Sequence, residues 1–265
     1  MTLTLEQEAA PNAATAENSL LAPHSAETSV TLRLACADDA DDIAKFYAHY
    51  VLDTVINFEY EAPDAAEFRR RIADVSAKYP FIVAANNHGR VLGYAFAHAM
   101  GARPAYGWAV DLSIYLDPDV RGHGLGTALY GALEDILRLQ GVVTEFACIT
   151  VRRDDGLYDL SSVRGVSSVP GLTDSNASTN DPHLPLTSPR FHAAQGFRVV
   201  GRDRGCGYKL GTWYDKLWME KQLADYPESP QPIAPIGSLP NDALSSIFEQ
   251  NAPVLMRGRA HKNNL

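Results

Sequence analysis

The chain has 265 residues, of which 46% are hydrophobic and 21% charged, and its formal net charge is −9 at pH 7. The apolar and charged fractions are those of an ordinary globular protein, and the acidic balance argues against non-specific binding to nucleic acid or to an anionic membrane, because both need basic patches. No apolar run approaches the roughly 18–20 residues that a membrane span requires.

In chain order, the middle of the sequence shows a regular alternation of elements. The patterns predict a strand at 30–34, a helix starting at Asp38 or Asp39, a helix opened by Pro63, strands at 81–85, 91–99 and 108–116, a helix from Leu125 to Gly141, a strand at 144–151, a short helix at 188–195, and a closing hairpin of 197–208 and 212–221. Two strands, 81–85 and 91–99, follow each other without a helix. The sheet is therefore expected to be mixed rather than doubly wound.

Three segments lack this regularity. Residues 1–29 contain no Lys or Arg and predict a disordered tail, without a secretory signal or mitochondrial presequence. Residues 152–187 are rich in Ser, Asp, Asn, Pro and Gly and predict a long insertion. Residues 224–265 are rich in proline, so we expect a tail that buries little apolar surface, with only an isolated helix possible at 241–249. Deleting 1–29 and 241–265 is then expected to change the melting temperature little.

The cysteines bear on the cellular compartment. Cys36, Cys148 and Cys206 are odd in number, far apart and without metal-ligand spacing. Cys36 and Cys148 lie in apolar runs and are expected to be buried free thiols. Together with the absence of a targeting signal, this pattern predicts a cytoplasmic protein in a reducing compartment, with no bound metal.

A glycine-rich turn joins the strand at 108–116 to the helix that follows. Its residues are Arg121, Gly122, His123, Gly124, Leu125, Gly126 and Thr127. Unpaired N–H groups and the positive end of the helix dipole make such a turn suited to a phosphate. The dinucleotide pattern G-x-G-x-x-G fails because Thr127 occupies its last position, and the P-loop lysine is missing. The remaining pattern, R-x-x-G-x-G, resembles the pyrophosphate loop of the GNAT acyltransferase superfamily.

Four separated blocks extend this resemblance over about residues 30–223. The run 103–116 is similar to the R-x-A-Y-x-W-x-V-E-x-S-x-Y-V segment of the phosphinothricin and methionine sulfoximine N-acetyltransferase branch. Residues 54–63 resemble its T-x-x-F-E-x-x-P stretch, while 188–197 and 206–215 resemble its S-x-x-x-H-x-x-x-G-F and G-x-K-x-G-x-W-x-D signatures. The resemblance implies a GNAT fold, in which helices flank a mixed, mostly antiparallel sheet that splays at the cofactor site.

The resemblance also implies a function and roles for individual residues. The protein is expected to be an N-acetyltransferase that uses acetyl-CoA and no metal, acts on the amine of a small amino acid or analogue, and forms a homodimer. Asp111 is implied as the general base, with His192 as the rival base. Arg103 is implied to hold the acceptor's carboxylate, with Phe58 and Tyr106 as pocket walls. Cofactor contacts are implied for Ser113, Ile114, Leu116, Arg121, Gly122, His123, Gly124, Leu125, Gly126, Thr127 and Ser188.

Plain structural roles stay open for several of these residues, such as core packing for Phe58 or helix capping for Ser188. The sequence also departs from the branch pattern in three places: Asp111 stands where a glutamate is usual, Pro185 stands where an asparagine is usual, and the insertion at 152–187 is long. Two alternatives therefore remain. One is an acetyltransferase for another amine, such as a polyamine, an antibiotic or a protein N-terminus; the other is a non-catalytic acyl-CoA-binding module.

Overall fold

The computed structural model describes residues 29–120, 123–153, 181–184 and 187–252. The predicted N-terminal tail up to residue 28 and most of the insertion lie outside the described residues. So do three residues singled out in the sequence, Arg121, Gly122 and Pro185.

Seven strands form a single sheet. They are β1 (Val30–Leu34), β2 (Phe81–Asn86), β3 (Val91–Ala99), β4 (Ala109–Leu116), β5 (Thr144–Arg152), β6 (Arg198–Lys209) and β7 (Thr212–Gln222). Their order across the sheet is β1-β2-β3-β4-β5-β7-β6. Every neighbouring pair is antiparallel except β4 and β5, which run parallel. The predicted mixed, mostly antiparallel sheet is confirmed.

Five helices accompany the sheet: α1 (Ala40–Leu52), α2 (Ala65–Ser76), α3 (Leu125–Gln140), α4 (Thr187–Ala194) and α5 (Asn241–Asn251). Helix α2 begins later than predicted, because the carboxylate of Asp64 caps it by accepting from Glu67 N–H at 2.8 Å. Gly141 ends α3 in the left-handed region, with φ 90°. Every helix among the described residues is too short or too polar to cross a membrane.

The two faces of the sheet carry different cores. Helix α3 covers one face with buried leucine and isoleucine side chains, and Val110 and Leu112 of β4 join that core. Helices α1 and α2 pack over the other face, where Tyr115 of β4 meets Tyr47 and Tyr50 edge to face. Because side chains alternate along a strand, Asp111 and Ser113 share the face of Tyr115. This alternation directs the candidate base away from α3.

The structure corrects two expectations about burial. The strand β1 ends at Leu34, and Cys36 beyond it is exposed rather than buried. The proline-rich segment after residue 224 also contributes to the core, because Ile233, Ile236, Leu244 and Ile247 are all buried against it. Prolines limit regular structure between residues 224 and 240, but they leave the apolar side chains there free to pack, and helix α5 follows them.

Helix α5 is therefore expected to matter for stability, contrary to the expectation from composition. Leu244 is 6% exposed, and replacing a buried leucine by alanine typically costs about 2–5 kcal/mol. We expect Leu244→Ala to lower the melting temperature by several degrees, and the exposed neighbour Ser245→Ala to leave it unchanged. Thermal unfolding followed by circular dichroism measures both. Equal melting temperatures for the two variants would show that α5 does not dock.

Candidate active site

The parallel strands β4 and β5 separate halfway along their length. They pair from Ala109 with Thr144 to Leu112 with Ala147, and no further register follows. Residues 113–116 and 148–152 therefore face each other across a gap. This is the splay that the sequence resemblance implies, and two cavities occupy it.

The direction of the backbone groups decides what the gap offers. Asp117 N–H donates to Leu92 O of β3 at 2.8 Å, and Met100 N–H donates to Ala109 O. Because backbone groups alternate in direction along a strand, the odd-numbered residues of β4 turn toward β3 and the even-numbered ones toward the gap. The N–H and C=O groups of Ile114 and Leu116 thus point into the gap, which is the direction that the predicted cofactor contacts would require. The backbone of Ser113 pairs instead with β3, opposite Phe96.

The start of helix α3 forms one end of the larger cavity. The first bond of the helix runs from Ala128 N–H to Gly124 O at 3.0 Å, so the N–H groups of Leu125, Gly126 and Thr127 have no acceptor within the helix. Gly124 has φ 76°, and a Cβ built on it would meet no atom within 4 Å. The predicted phosphate-binding turn thus presents three N–H groups beside an open position.

Gly126 has a different reason to be glycine. A Cβ at this position would lie 3.0 Å from Cε2 of Phe191 in α4. Helix α4 is also tied to α3 through Gln195, whose Nε2 donates to Thr127 Oγ1 at 3.2 Å. Close packing of α3 against α4 therefore accounts for Gly126. His123 is exposed, and its Nδ1 lies 3.4 Å from Val120 O.

The larger cavity has a volume of about 380 Å³. It runs from residues 124–127 along the splayed edge of β4, and its apolar lining comes from Tyr50, Ile56, Ile114, Leu116 and Phe191. Ser188 also lines it, but lies inside α4 rather than capping it. The Leu116 carbonyl oxygen already accepts from Tyr50 Oη at 2.5 Å. A polar end and a narrow apolar channel suit an elongated ligand with a phosphate at one end.

A smaller cavity of about 60 Å³ lies deeper in the gap. Ser113, Cys148, Thr150 and Leu184 are among its lining residues, together with the buried pair Tyr130 and His192. Burial raises the pKa of the Cys148 thiol to about 11, so this sulfur is neutral near pH 7. Its walls come from β4, β5, α3, α4 and the end of the insertion.

Both ring nitrogens of His192 are occupied. Its Nδ1–H donates to Ser188 O at 2.8 Å, so Nε2 is the acceptor, and Tyr130 Oη donates to it at 2.8 Å. Burial lowers the pKa of His192 to about 4, which keeps the ring neutral. A neutral imidazole whose lone pair is already engaged is a weak proton acceptor. These contacts favour Asp111 over His192 as the base.

Asp111 lies one side-chain position before Ser113 on the same face of β4. Burial raises the pKa of its carboxyl group, while the charges of His98 and Lys216 act in the opposite direction. Its Oδ1 is buried without a hydrogen-bond partner among the described residues. A carboxylate with a raised pKa and an unpaired buried oxygen is suited to accept a proton from a bound ligand.

Sequence reasoning missed two basic residues near this carboxylate. His98 of β3 lies directly opposite Asp111, with Nε2 3.8 Å from Asp111 Oδ2. Lys216 of β7 is close enough for its charge to lower the pKa of both Asp111 and Cys148. The alternation of β3 and β7 indicates only which face each side chain occupies. Their approach to Asp111 depends on strand register, which no local pattern shows.

The residues predicted to contact the acceptor do not line either cavity. Phe58 packs in a satellite cluster with Val55, Leu184 and Tyr214 and lies tightly over Gly207. Tyr106 is 46% exposed and packs against Gly101. Arg103 is exposed at the start of a short turn in the loop between β3 and β4. Ile56, which the sequence did not single out, lines both cavities instead.

Comparison with known proteins agrees with this geometry. The chain matches the acetyltransferase (GNAT) domain family over residues 32–218. It is 28% identical over 207 residues to the phosphinothricin N-acetyltransferase of Streptomyces viridochromogenes, covering 78% of this chain and 94% of that protein. It is 31% identical over 199 residues to the phosphinothricin N-acetyltransferase of Alcaligenes faecalis, covering 75% and 85%.

A solved structure is similar as well. The phosphinothricin acetyltransferase of Sinorhizobium meliloti, crystallised in complex with AcCoA, superposes with a TM-score of 0.60 at 29% identity, covering 78% of this chain and 98% of that chain. The family match spans both halves of the splayed sheet and the turn before α3. The resemblance seen in the sequence and the prediction of an N-acetyltransferase are confirmed. This chain belongs to the GNAT family of acetyltransferases.

Proposed function

We propose that this protein transfers the acetyl group of acetyl-CoA to the amine of a small amino acid or amino-acid analogue. One observation carries the proposal: two cavities that share Ile56, Ile114 and Ser188 in their walls form a cleft from the start of α3 to Ser113, the next residue after Asp111 on the same face of β4. The two ends of this cleft suit the two substrates of an acetyl transfer. The relatives are named as phosphinothricin N-acetyltransferases, and we therefore include phosphinothricin among the acceptors proposed for this chain.

The residues of the cleft fit acetyl-CoA. The N–H groups of Leu125, Gly126 and Thr127 would hold its pyrophosphate, and the inward-pointing backbone of Ile114 and Leu116 would bond its pantetheine arm. The apolar wall of the larger cavity would cover that arm. When bound, the cosubstrate supplies the thioester carbonyl that the amine attacks. The Ile114 N–H is the strand group that points toward this region and would stabilise the developing oxyanion.

Asp111 would make the acceptor amine reactive. An ammonium has no lone pair, so it must first lose a proton, and the unpaired buried Oδ1 of Asp111 can receive it. Asp111 is one methylene shorter than the glutamate usual in the branch. The pKa of Asp111 is raised by burial, which makes this carboxylate a stronger base than an exposed aspartate.

The charges around Asp111 favour a zwitterionic acceptor. Lys216 and His98 both act on Asp111, so a molecule bound there meets one acidic group and two basic ones. An α-amine beside a carboxylate or phosphinate matches this arrangement, because the amine faces Asp111 and the acid faces Lys216. A polyamine would place further positive charge beside Lys216. Arg103, at the sheet end near Asp111, would add to the attraction for an acidic group.

The proposal is tested by thiol release from acetyl-CoA with a panel of amines. We expect turnover with phosphinothricin and methionine sulfoximine, and none with spermidine or with a peptide α-amine. Turnover only with spermidine or peptides would replace the acceptor and keep the acetyltransferase. Acetyl-CoA binding without thiol release for any amine would favour the non-catalytic acyl-CoA-binding alternative.

Two variants test how the acceptor's acidic group is held. Arg103→Ala and Lys216→Met are each expected to raise KM for the amino-acid acceptor far more than they lower kcat, the pattern of lost uniform binding. Lys45→Met, an exposed lysine on α1, is the matched control and should change neither constant. Steady-state kinetics at saturating acetyl-CoA measures all three. If both test variants keep the wild-type KM, the acceptor is not held through its acidic group by these cations.

Three further expectations accompany the proposal. A cytoplasmic location and a homodimer stay predictions from the sequence and its resemblance. The boundaries of the catalytic domain, at about 30 and 223, are also predictions, although the segment after 223 packs on the same core.

A further inference from the structure

Asp111 and His98 lie side by side, and acetyl transfer as described above does not explain this arrangement. Asp111 is mostly buried, with its side chain 19% exposed, whereas the histidine across from it on β3 is 46% exposed. The two residues are directly paired in the antiparallel register of β3 and β4. A buried acid is thus placed beside a side chain that reaches solvent.

The orientation of the His98 ring is fixed by its other nitrogen. Nδ1 lies 3.2 Å from Ala99 O, and because a carbonyl oxygen only accepts, Nδ1 carries the hydrogen. In the neutral ring, Nε2 then has the free lone pair, and this atom faces Asp111 Oδ2 at 3.8 Å. The separation is longer than a direct hydrogen bond, and a small side-chain rotation would complete the contact.

Acetylation of an amine releases a proton, and the contact between Asp111 and His98 offers a path for it. Converting an ammonium into an amide removes two protons from the nitrogen. One ends on the released thiol, and the other must reach solvent. Asp111, whose side chain is only 19% exposed, needs a route for that proton before the next turnover.

Resting on the proposed function, we propose that His98 is the positioning residue of Asp111, holding its carboxylate and passing its proton to solvent. The amine gives its proton to Asp111 Oδ, Asp111 then gives it to Nε2 of neutral His98, and the exposed imidazolium releases it to water. The carboxylate is restored and no further reactant is needed. The positive charge formed on the ring is stabilised by Asp111 itself.

Other titratable groups near Asp111 do not offer the same route. The ammonium group of Lys216 on β7 has three N–H donors and no lone pair with which to accept a proton. The Cys148 thiol on β5 and the buried Tyr130 phenol on α3 have pKa values raised by burial, so neither exchanges protons readily near pH 7. Among the described residues acting on Asp111, His98 alone combines an acceptor lone pair with access to solvent.

The inference is tested with His98→Asn, with His88→Asn as the matched control on the exposed β2–β3 turn. We expect kcat of His98→Asn to fall by about 10-fold to 100-fold, less than the roughly 10²–10⁴-fold expected for loss of the base itself. In an Asp111→Asn background, adding His98→Asn should cost nothing more. Added imidazole should restore part of the kcat of His98→Ala. Independent, multiplying losses, or a wild-type kcat in His98→Asn, would overturn the inference.

A second measurement does not depend on turnover. The charge of His98 lowers the pKa of Asp111, so His98→Asn should move the titration of the Asp111 carboxyl carbon to higher pH in a ¹³C NMR experiment, and His88→Asn should not. An unchanged titration would show that the two side chains are not coupled. If the wild-type protein acetylates no amine but the titration moves, the proposed function fails and the Asp111–His98 pair stands.

Discussion

Asp111→Asn is expected to lower kcat by roughly 10²–10⁴-fold while leaving acetyl-CoA affinity unchanged. Asparagine keeps the shape of the side chain but has no basicity, so the ammonium of the acceptor stays protonated. The cofactor end of the cleft, at the start of α3, is built from other residues and is not disturbed. Thiol release gives kcat, and calorimetry with acetyl-CoA gives the affinity.

Three comparisons make this result specific. Asp74→Asn, on the exposed face of α2, is the control and should keep full activity. Asp111→Glu, which restores the glutamate usual in the branch, should retain activity because a carboxylate is still present. His192→Ala should lower kcat less than Asp111→Asn does, since both nitrogens of His192 are already bonded. If His192→Ala shows the large loss and Asp111→Asn does not, the two roles are reversed.

Stability separates loss of chemistry from loss of fold. The pKa of Asp111 is raised in the folded protein, so its contribution to stability is fully present below the ordinary aspartate pKa. That contribution declines as the pH rises through the folded value. The ionised, buried carboxylate therefore stabilises the fold less than the protonated form does. Asp111→Asn should melt at the same temperature as the wild type or higher at pH 7, and a lower melting temperature would indicate a structural defect instead.

Hydrophobic periodicity was sufficient to predict the elements around the site. The apolar stripe of α3 and the alternation in β3 and β4 appear in the structure within one residue of their predicted bounds. The signal of α3 is strong because one face of the helix is buried against a single core, and those of β3 and β4 are strong because both faces of each strand are packed. The start of α2 was misplaced, since Pro63 and Asp64 are both good helix-start residues and only the contact with Glu67 distinguishes them.

The tail after residue 224 was the largest error, and its cause is physical. Prolines predict the absence of regular structure but say nothing about packing. Ala234 N–H donates to Gln140 O, and Ile236 N–H donates to Lys78 O, so the segment is fixed by contacts distant in sequence. A local pattern contains no information about such partners. Glu145 is the opposite case, because an acidic residue is expected at the surface, yet this one in β5 is fully buried.

The residues of the candidate site also fall into two groups, those that a local sequence pattern indicates and those that it does not. The turn before α3 and the position of Asp111 are local features that the motif resemblance was sufficient to indicate. His98 and Lys216 approach Asp111 only through the registers of β3 with β4 and of β5 with β7. Phe58 was predicted to contact the acceptor, yet Ile56 lines the cavity instead. This segment has no regular structure, so its sequence has no periodicity from which to infer the direction of each side chain.

Gly124→Val is expected to abolish acetyl-CoA binding, with the affinity falling by at least ~100-fold, equivalent to about 2.7 kcal/mol. Gly124 precedes the three unpaired N–H groups of α3, and a Cβ there would meet no protein atom within 4 Å. The valine side chain would therefore project into the space proposed for the pyrophosphate. Calorimetry measures the affinity, and the rise in melting temperature caused by acetyl-CoA gives an independent measure.

Valine at Gly124 also strains the backbone, so the variant needs a control that carries the same strain. Gly141 provides it at the opposite end of α3, with φ 90° against 76° for Gly124 and likewise no atom within 4 Å of a built Cβ. A non-glycine residue in this region costs roughly 1–3 kcal/mol, so both variants should melt at similarly lowered temperatures. Only Gly124→Val should lose the acetyl-CoA response. If both variants lose it, backbone strain is the cause; if both keep it, the cosubstrate does not bind at the start of α3.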